Sequence, residues 1–129
     1  MRVLLDTHCW LWLCTEPERF SRATIAELAD PDTERLLSAA SIWEIVIKHG
    51  IGKLPLPVSP QDFVPSRLAT TRTDVLPITA AHTLRIAELP DHHRDPFDRM
   101  LVAQASVEGL RLLTADKALR RYKIELLRP

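Results

Sequence analysis

Glycine is scarce in this chain, at three residues of 129. No Gly-rich phosphate-cradling loop is present, so a nucleotide-binding fold of the kind built on one is not expected. Cysteine is scarcer still. Cys9 and Cys14 lie five apart in one apolar segment, where they would not face each other well on a helix, and they read as reduced core residues. A structural zinc site needs about four Cys/His ligands at ligand-like spacing, and the sequence has no such set. Long apolar runs are also missing: the longest, Cys9-Trp10-Leu11-Trp12-Leu13-Cys14, is far too short to span a bilayer. No basic stretch followed by an apolar run and a small-residue cleavage site opens the chain, so the expected setting is the cytoplasm, with no membrane partner. The net charge is zero, which argues against indiscriminate binding to polyanions.

What is present is a chain of 46% hydrophobic residues, expected to form one domain over residues 1–129 with a sizeable core. Charge is unevenly spread. Residues 1–64 carry 6 basic and 9 acidic side chains, and residues 65–129 carry 11 and 8. The basic excess gathers late, at Arg111, Lys117, Arg120, Arg121, Lys123 and Arg128. That end is either a solvated charged face or a surface for a polyanion.

Hydrophobic patterning predicts a short buried strand over Arg2–Asp6, a buried helix over Thr7–Leu13 and a second helix over Ser21–Asp30 that stops before Pro31. Glu34–Ser38 reads as a strand. Ser41–Lys48 reads as a helix opened by a capping box of Ser41 and Glu44. After a proline-rich loop, Ser59-Pro60 launches another helix. Val75–Ile78 reads as a strand, Thr79–Leu89 as a helix, and Pro90–Arg94 as a polar loop. Asp95-Pro96 then starts a long helix to about Gly109, followed by a strand at Arg111–Thr114, a short helix at Asp116–Arg121 and a strand at Ile124–Leu127. Strands alternating with helices imply an α/β domain with a central, mostly parallel sheet flanked by helices.

In such sheets, sites form beyond the C-terminal ends of the strands. Four acids fall where they can border that crevice: Asp6 after the first strand, Glu44 in the helix after the second, Asp98 at the start of the long helix, and Asp116 after the following strand. Each also has a capping explanation: Asp6 and Asp116 for the helices they precede, Glu44 with Ser41, Asp98 with Asp95. Four caps converging on one edge would still repel. Two unit charges at about 4 Å repel by roughly 4 kcal/mol at an effective dielectric near 20. Such a cluster raises carboxylate pKa values or recruits a cation, and an all-oxygen donor set selects Mg²⁺ or Mn²⁺.

With these residues in view, the chain resembles the PIN-domain ribonucleases, and within them the VapC-type toxins of toxin–antitoxin pairs. The resemblance is carried by Leu4-Leu5-Asp6-Thr7-His8, Ser41-Ile42-Trp43-Glu44, Asp95-Pro96-Phe97-Asp98-Arg99-Met100-Leu101-Val102-Ala103-Gln104-Ala105 and Leu113-Thr114-Ala115-Asp116. These stand in the family's order across essentially the whole chain. The resemblance implies a PIN-like three-layer fold and metal-dependent cleavage of RNA that leaves a 5′-phosphate. Asp6, Glu44, Asp98 and Asp116 would be the acidic quartet around one or two Mg²⁺ or Mn²⁺ ions. Thr7 and Thr114 would support the quartet, with Thr7 orienting Asp6. Asp95 would be helix cap first and outer metal group second. His8 stands where many relatives carry asparagine.

It further implies an RNA substrate, a homodimer and a cognate VapB-like antitoxin that folds onto the apolar surface near the first helices, where Trp10, Trp12 and Trp43 concentrate. Arg99, Lys117 and Arg120 are candidates for RNA phosphate contact, and His92 and His93 for proton transfer or RNA contact. Two other readings are open on the sequence. One is a non-catalytic PIN-like RNA- or protein-binding module whose acids only cap helices. The other is a phosphoryl-transfer domain with Asp6 as nucleophile.

Overall fold

A computed structural model describes residues 1–129. Its sheet comprises β1 (Arg2–Leu5), β2 (Glu34–Ser38), β3 (Thr73–Leu76), β4 (Arg111–Leu113) and β5 (Leu126–Leu127). All four pairings are parallel, and the strand order is β3-β2-β1-β4-β5. The helices are α1 (Thr7–Thr15), α2 (Arg22–Ala29), α3 (Ala39–Gly50), α4 (Pro60–Thr70), α5 (Ala80–Ile86) and α6 (Pro96–Glu108), with 3-10 turns at Pro17–Arg19 and Lys117–Arg121.

The short strands are largely apolar because both faces of the sheet are covered. Successive β1 side chains show it. Val3 and Leu5 enter a core with Trp10, Ile45 and Phe63 from α1, α3 and α4, whereas Leu4 enters a second core with Leu101, Val102 and Ala105 from α6. The result is a three-layer α/β/α arrangement. Trp10 is fully buried, meets Phe63 edge-on at 6.2 Å between centroids and donates its indole N–H to Thr71 Oγ1.

Three boundaries depart from the sequence expectation for identifiable reasons. β3 lies two residues earlier than Val75–Ile78, because Thr73 and Leu76 are its buried positions and Pro77 has no N–H to extend the ladder. β5 is confined to Leu126–Leu127, since the Ile124 N–H is taken by the Tyr122 carbonyl in a turn. α3 starts at Ala39, capped by the Ser38 hydroxyl, and not at a Ser41–Glu44 box. Ser41 is fully buried in the helix instead.

The strand order places the site. Connections from β1 run outward to β2 and β3 on one side, and β4 and β5 lie on the other. The winding therefore reverses between β1 and β4, and side chains just past those two strands share a crevice at their C-terminal ends. The Asp6 N–H donates to the Leu113 carbonyl at 2.9 Å, which fixes the two strand exits side by side.

Candidate active site

Asp6 leaves β1 and caps α1, its Oδ1 accepting the Cys9 N–H at 2.7 Å. Asp116 follows β4 and caps the Lys117–Arg121 turn through Oδ1, which accepts the Ala118 N–H at 2.9 Å. Thr114, buried at the end of β4, accepts the Asp116 N–H on its hydroxyl at 3.0 Å and so fixes the turn that presents this acid. Capping thus accounts for one oxygen of each of these carboxylates.

The other two acids are not caps. Glu44 lies in the second turn of α3, 4% exposed. Its Oε1 accepts the Thr7 hydroxyl at 2.6 Å and its Oε2 pairs with the Lys48 ammonium at 2.6 Å. Thr7 therefore orients Glu44, and not Asp6 as its place in the sequence suggests. Lys48 is a further member that the motifs do not name, although its position four residues beyond Glu44 on a helix is the signal for such a pair. Asp98 is in the first turn of α6, whose cap is Asp95 accepting the Phe97 N–H at 2.9 Å. No box closes between Asp98 and Asp95, because the Asp95 N–H goes to His93 Nδ1 at 3.0 Å.

Asp98 stands nearest the middle of the negative charge. Burial pushes its carboxyl up, Asp95 adds to this, the His93 ring pulls the other way, and Asp6 and Glu44 push further, leaving the pKa at about 7. Across His93 lies Asp116: the ring Nε2 is 3.2 Å from Asp98 Oδ2 and 3.0 Å from Asp116 Oδ2. The structure therefore brings Asp6 and Glu44 within electrostatic reach of Asp98 and places Asp116 across one histidine from it. The same field reaches Cys9, whose buried thiol is pushed well above its ordinary range by burial first and Asp6 second.

Arg99 does not fit the expectation of an RNA contact. Its guanidinium donates to the carbonyls of Ile86 and Pro90 at 3.2 and 3.1 Å and to the Tyr122 hydroxyl at 3.3 Å, so it straps the segment before α6 onto the helix. With its donors committed to these fixed acceptors, it holds the fold together and has little left to offer a phosphate. Lys117 and Arg120 are different: with Arg128 they line a cavity of about 200 Å³ whose wall includes Thr114 and Asp116. None of the three cations forms an ion pair within the chain. His8 and His92 are exposed, and His92 stacks edge-on with Tyr122 at 5.3 Å.

The tryptophans divide. Trp10 is core, Trp12 is half-buried against Phe20 with the Arg19 guanidinium over its ring, and Trp43 is 60% exposed. Beside Trp43, the groove between α3 and α4 is lined by Ile42, Val46, Val64 and Leu68 and encloses about 650 Å³. No helix is long and apolar enough to cross a membrane.

Comparison with known proteins identifies the family and the fold. The family model described as PIN domain matches residues 3–125. Ribonuclease VapC22 of Mycobacterium tuberculosis is 29% identical over 123 residues, 94% of this chain and 92% of that one. Ribonuclease VapC16 of the same organism is 43% identical over 60 residues, 46% of this chain; that alignment spans only 43% of the relative's length. Two solved structures share the fold: VapBC2 from Rickettsia felis bound to a DNA fragment from its promoter, with TM-score 0.76 and 18% identity over 99% of this chain and 98% of that one, and VapBC-1 from nontypeable Haemophilus influenzae, with TM-score 0.71 and 17% identity over 99% and 98%.

Proposed function

The chain belongs to the PIN domain family, and from that premise we propose that it is a ribonuclease that hydrolyses phosphodiester bonds with the help of Mg²⁺ or Mn²⁺, acting in the cytoplasm as the toxin of a toxin–antitoxin pair. The observation that carries this reading is Asp98, a carboxyl held at about pKa 7 by burial and by the charges of Asp95, Asp6 and Glu44. Such a surplus of negative charge at the crevice between β1 and β4 suits a divalent cation. The donors there are carboxylate oxygens, which favour a hard ion over zinc or copper.

Asp6, Asp98 and Asp116 are the residues that would hold the ion, with Glu44 behind them. When bound, the ion supplies positive charge that offsets the charge developing on the phosphodiester and lowers the pKa of water nearby. The chain's own groups do the remainder. Thr7 and Lys48 fix the Glu44 carboxylate, Thr114 fixes the turn of Asp116, and Asp95 both caps α6 and keeps the Asp98 surroundings negative. Lys117, Arg120 and Arg128, unpaired around a cavity that shares Asp116, suit the backbone phosphates of an RNA strand led into the crevice. Capping alone, the basis of the non-catalytic alternative, leaves Glu44 and Asp98 unexplained. An aspartyl-phosphate route through Asp6 gives the acids Glu44 and Asp98, which act on the same site, no role.

The relatives' names, Ribonuclease VapC22 and VapC16, support RNA as the substrate, and the solved VapBC neighbours support a partner protein. The apolar groove between α3 and α4, with Trp43 beside it, offers an antitoxin segment of helical or extended chain a surface to bury. Self-association into a homodimer belongs to the same reading. The test is incubation of the purified chain with a mixed RNA pool. Cleavage is expected with MnCl₂, absent with a chelator and restored by excess Mn²⁺, leaving 5′-phosphate ends. Replacing Lys117, Arg120 and Arg128 together by alanine is expected to raise KM about tenfold at low salt, less at high salt, with kcat little changed. Undiminished cleavage in the chelator rules the metal reading out. The toxin role predicts growth arrest on expression and rescue by a co-expressed partner from a neighbouring gene; harmless expression of the active nuclease contradicts that role.

A further inference from the structure

His93 lies inside the acidic cluster, and the backbone decides which of its nitrogens carries hydrogen. The Asp95 N–H, whose hydrogen cannot be moved, donates to His93 Nδ1 at 3.0 Å. Nδ1 is therefore the acceptor, and the hydrogen of the neutral ring sits on Nε2. That Nε2–H donates to Asp116 Oδ2 at 3.0 Å, with Asp98 Oδ2 beside it, 3.2 Å from the nitrogen.

The consequence is that His93, as held here, is not a metal ligand, although its nitrogen and the two carboxylate oxygens all lie within 4.8 Å of one another. A ligand nitrogen must offer a lone pair. To free one at Nε2 the ring must carry its hydrogen on Nδ1, and two N–H groups would then face each other at 3.0 Å. Nor do ring and cation fit together. A cation held by Asp98 and Asp116 would compete with the Nε2–H for the Asp116 oxygen that it bonds.

Resting on the metal-dependent reading above, we infer that His93 is a latch: its Nε2–H holds Asp98 and Asp116 together while no cation is bound, and the ring swings out of the gap when one binds. The fold allows this motion without dismantling the loop. The ring is 20% exposed and so has a path to water. The segment's main chain is held separately, by the Arg99 guanidinium on the carbonyls of Pro90 and Ile86. The latch sets a threshold. A cation must displace the Nε2–H from the Asp116 oxygen it bonds at 3.0 Å, and from its place beside the Asp98 oxygen, before the site is loaded. His93 is in this sense a positioning residue for the site and a brake on its loading.

Isothermal titration of MnCl₂ into the metal-free protein separates the possibilities. His93→Ala is expected to bind Mn²⁺ roughly tenfold more tightly than the wild type, the scale of losing a charge-assisted competitor. His93→Gln, which keeps an N–H donor, is expected to lie between the two. Affinity that falls or stays the same in His93→Ala overturns the latch and leaves the metal reading standing. If neither wild type nor His93→Ala binds Mn²⁺, the metal reading itself fails and the latch falls with it. A second measurement on the wild type covers the case of a variant that does not fold. Nitrogen-15 NMR of the ring is expected to show the Nε2–H tautomer both before and after addition of MgCl₂, with the hydrogen bond from the Asp95 N–H lost on addition. Conversion to the Nδ1–H tautomer on adding Mg²⁺ would mark direct ligation and overturn the proposal.

Discussion

Asp98→Asn and Asp116→Asn are each expected to reduce RNA cleavage by on the order of 10³-fold or more while the chain stays folded. The size follows from what is removed. Taking away one preorganised electrostatic partner of a transition state costs about 10²–10³ in rate, and on the proposed metal-dependent reading the lost charge would also hold the ion on which the other groups depend. The isosteric amide keeps the hydrogen-bonding roles intact. In Asp116→Asn the amide oxygen can still accept the Ala118 N–H that Asp116 Oδ1 accepts now. In Asp98→Asn it can still face the His93 ring nitrogen 3.2 Å away. A folded, inactive protein is therefore the outcome, and single-turnover cleavage with parallel circular dichroism measures it. Full activity in both variants would remove the acids from the chemistry.

In the metal-free protein, Asp98→Asn is also expected to be stabilising, by roughly 2 kcal/mol at pH 8 after the allowance for solvent screening made below. The Asp98 carboxyl stands at about 7 in the folded chain, against an ordinary value of 3.8. Between those two values the folded chain holds a proton that the unfolded chain has released. Stability is therefore lost as pH rises through the window from about 4 to about 7, and the whole penalty is present above it. At full value a shift of about three units corresponds to about 4 kcal/mol. Asp98 keeps 25% of its side chain in water, which brings the figure down to roughly 2 kcal/mol. The stability difference between variant and wild type should vanish near pH 4 and grow toward pH 8, and added Mg²⁺ should raise the wild type alone. Urea denaturation at several pH values reads all three. A variant that is less stable than the wild type at pH 8 would show that burial and neighbouring charge do not act on Asp98 as described. Loss of activity coupled to a gain in stability is what separates an acid placed for function from one placed to cap a helix.

Much of the fold and part of the site can be read from local sequence, for identifiable reasons. Arg2–Leu5 and Arg111–Leu113 read as strands because a parallel sheet covered on both faces leaves continuous apolar runs. Asp95-Pro96 marks the start of α6 because proline at the first helical position and an aspartate cap act locally. Asp6 and Asp116 can be placed at one crevice because each comes just after a strand, and strand exits converge where the sheet order reverses.

The remainder depends on contacts between distant segments. Ser41 reads as the cap of α3, yet the helix begins at Ala39, with the Ser38 hydroxyl accepting the Ala40 N–H and Ser41 inside the helix. Thr7 reads as a neighbour of Asp6, yet it bonds Glu44, 37 residues away. Arg99 reads as a surface cation, and its acceptors come from Ile86, Pro90 and Tyr122, none of which its sequence neighbours announce. His93 reads only as a loop histidine that could move a proton or touch RNA, because its place beside Asp98 and Asp116 rests on one backbone N–H and two carboxylates brought together by the fold. The 3-10 turn at Pro17–Arg19 is too short for any hydrophobic period to show.

The proposed ribonuclease depends on side chains remote in sequence sharing one pocket suited to a divalent ion. The most direct measurement is an anomalous difference map from a crystal of the chain soaked in MnCl₂. A peak between the carboxylates of Asp98 and Asp116, within reach of Asp6, is the result expected. Density without a peak there at saturating Mn²⁺, or a peak only at acids elsewhere on the surface, contradicts it.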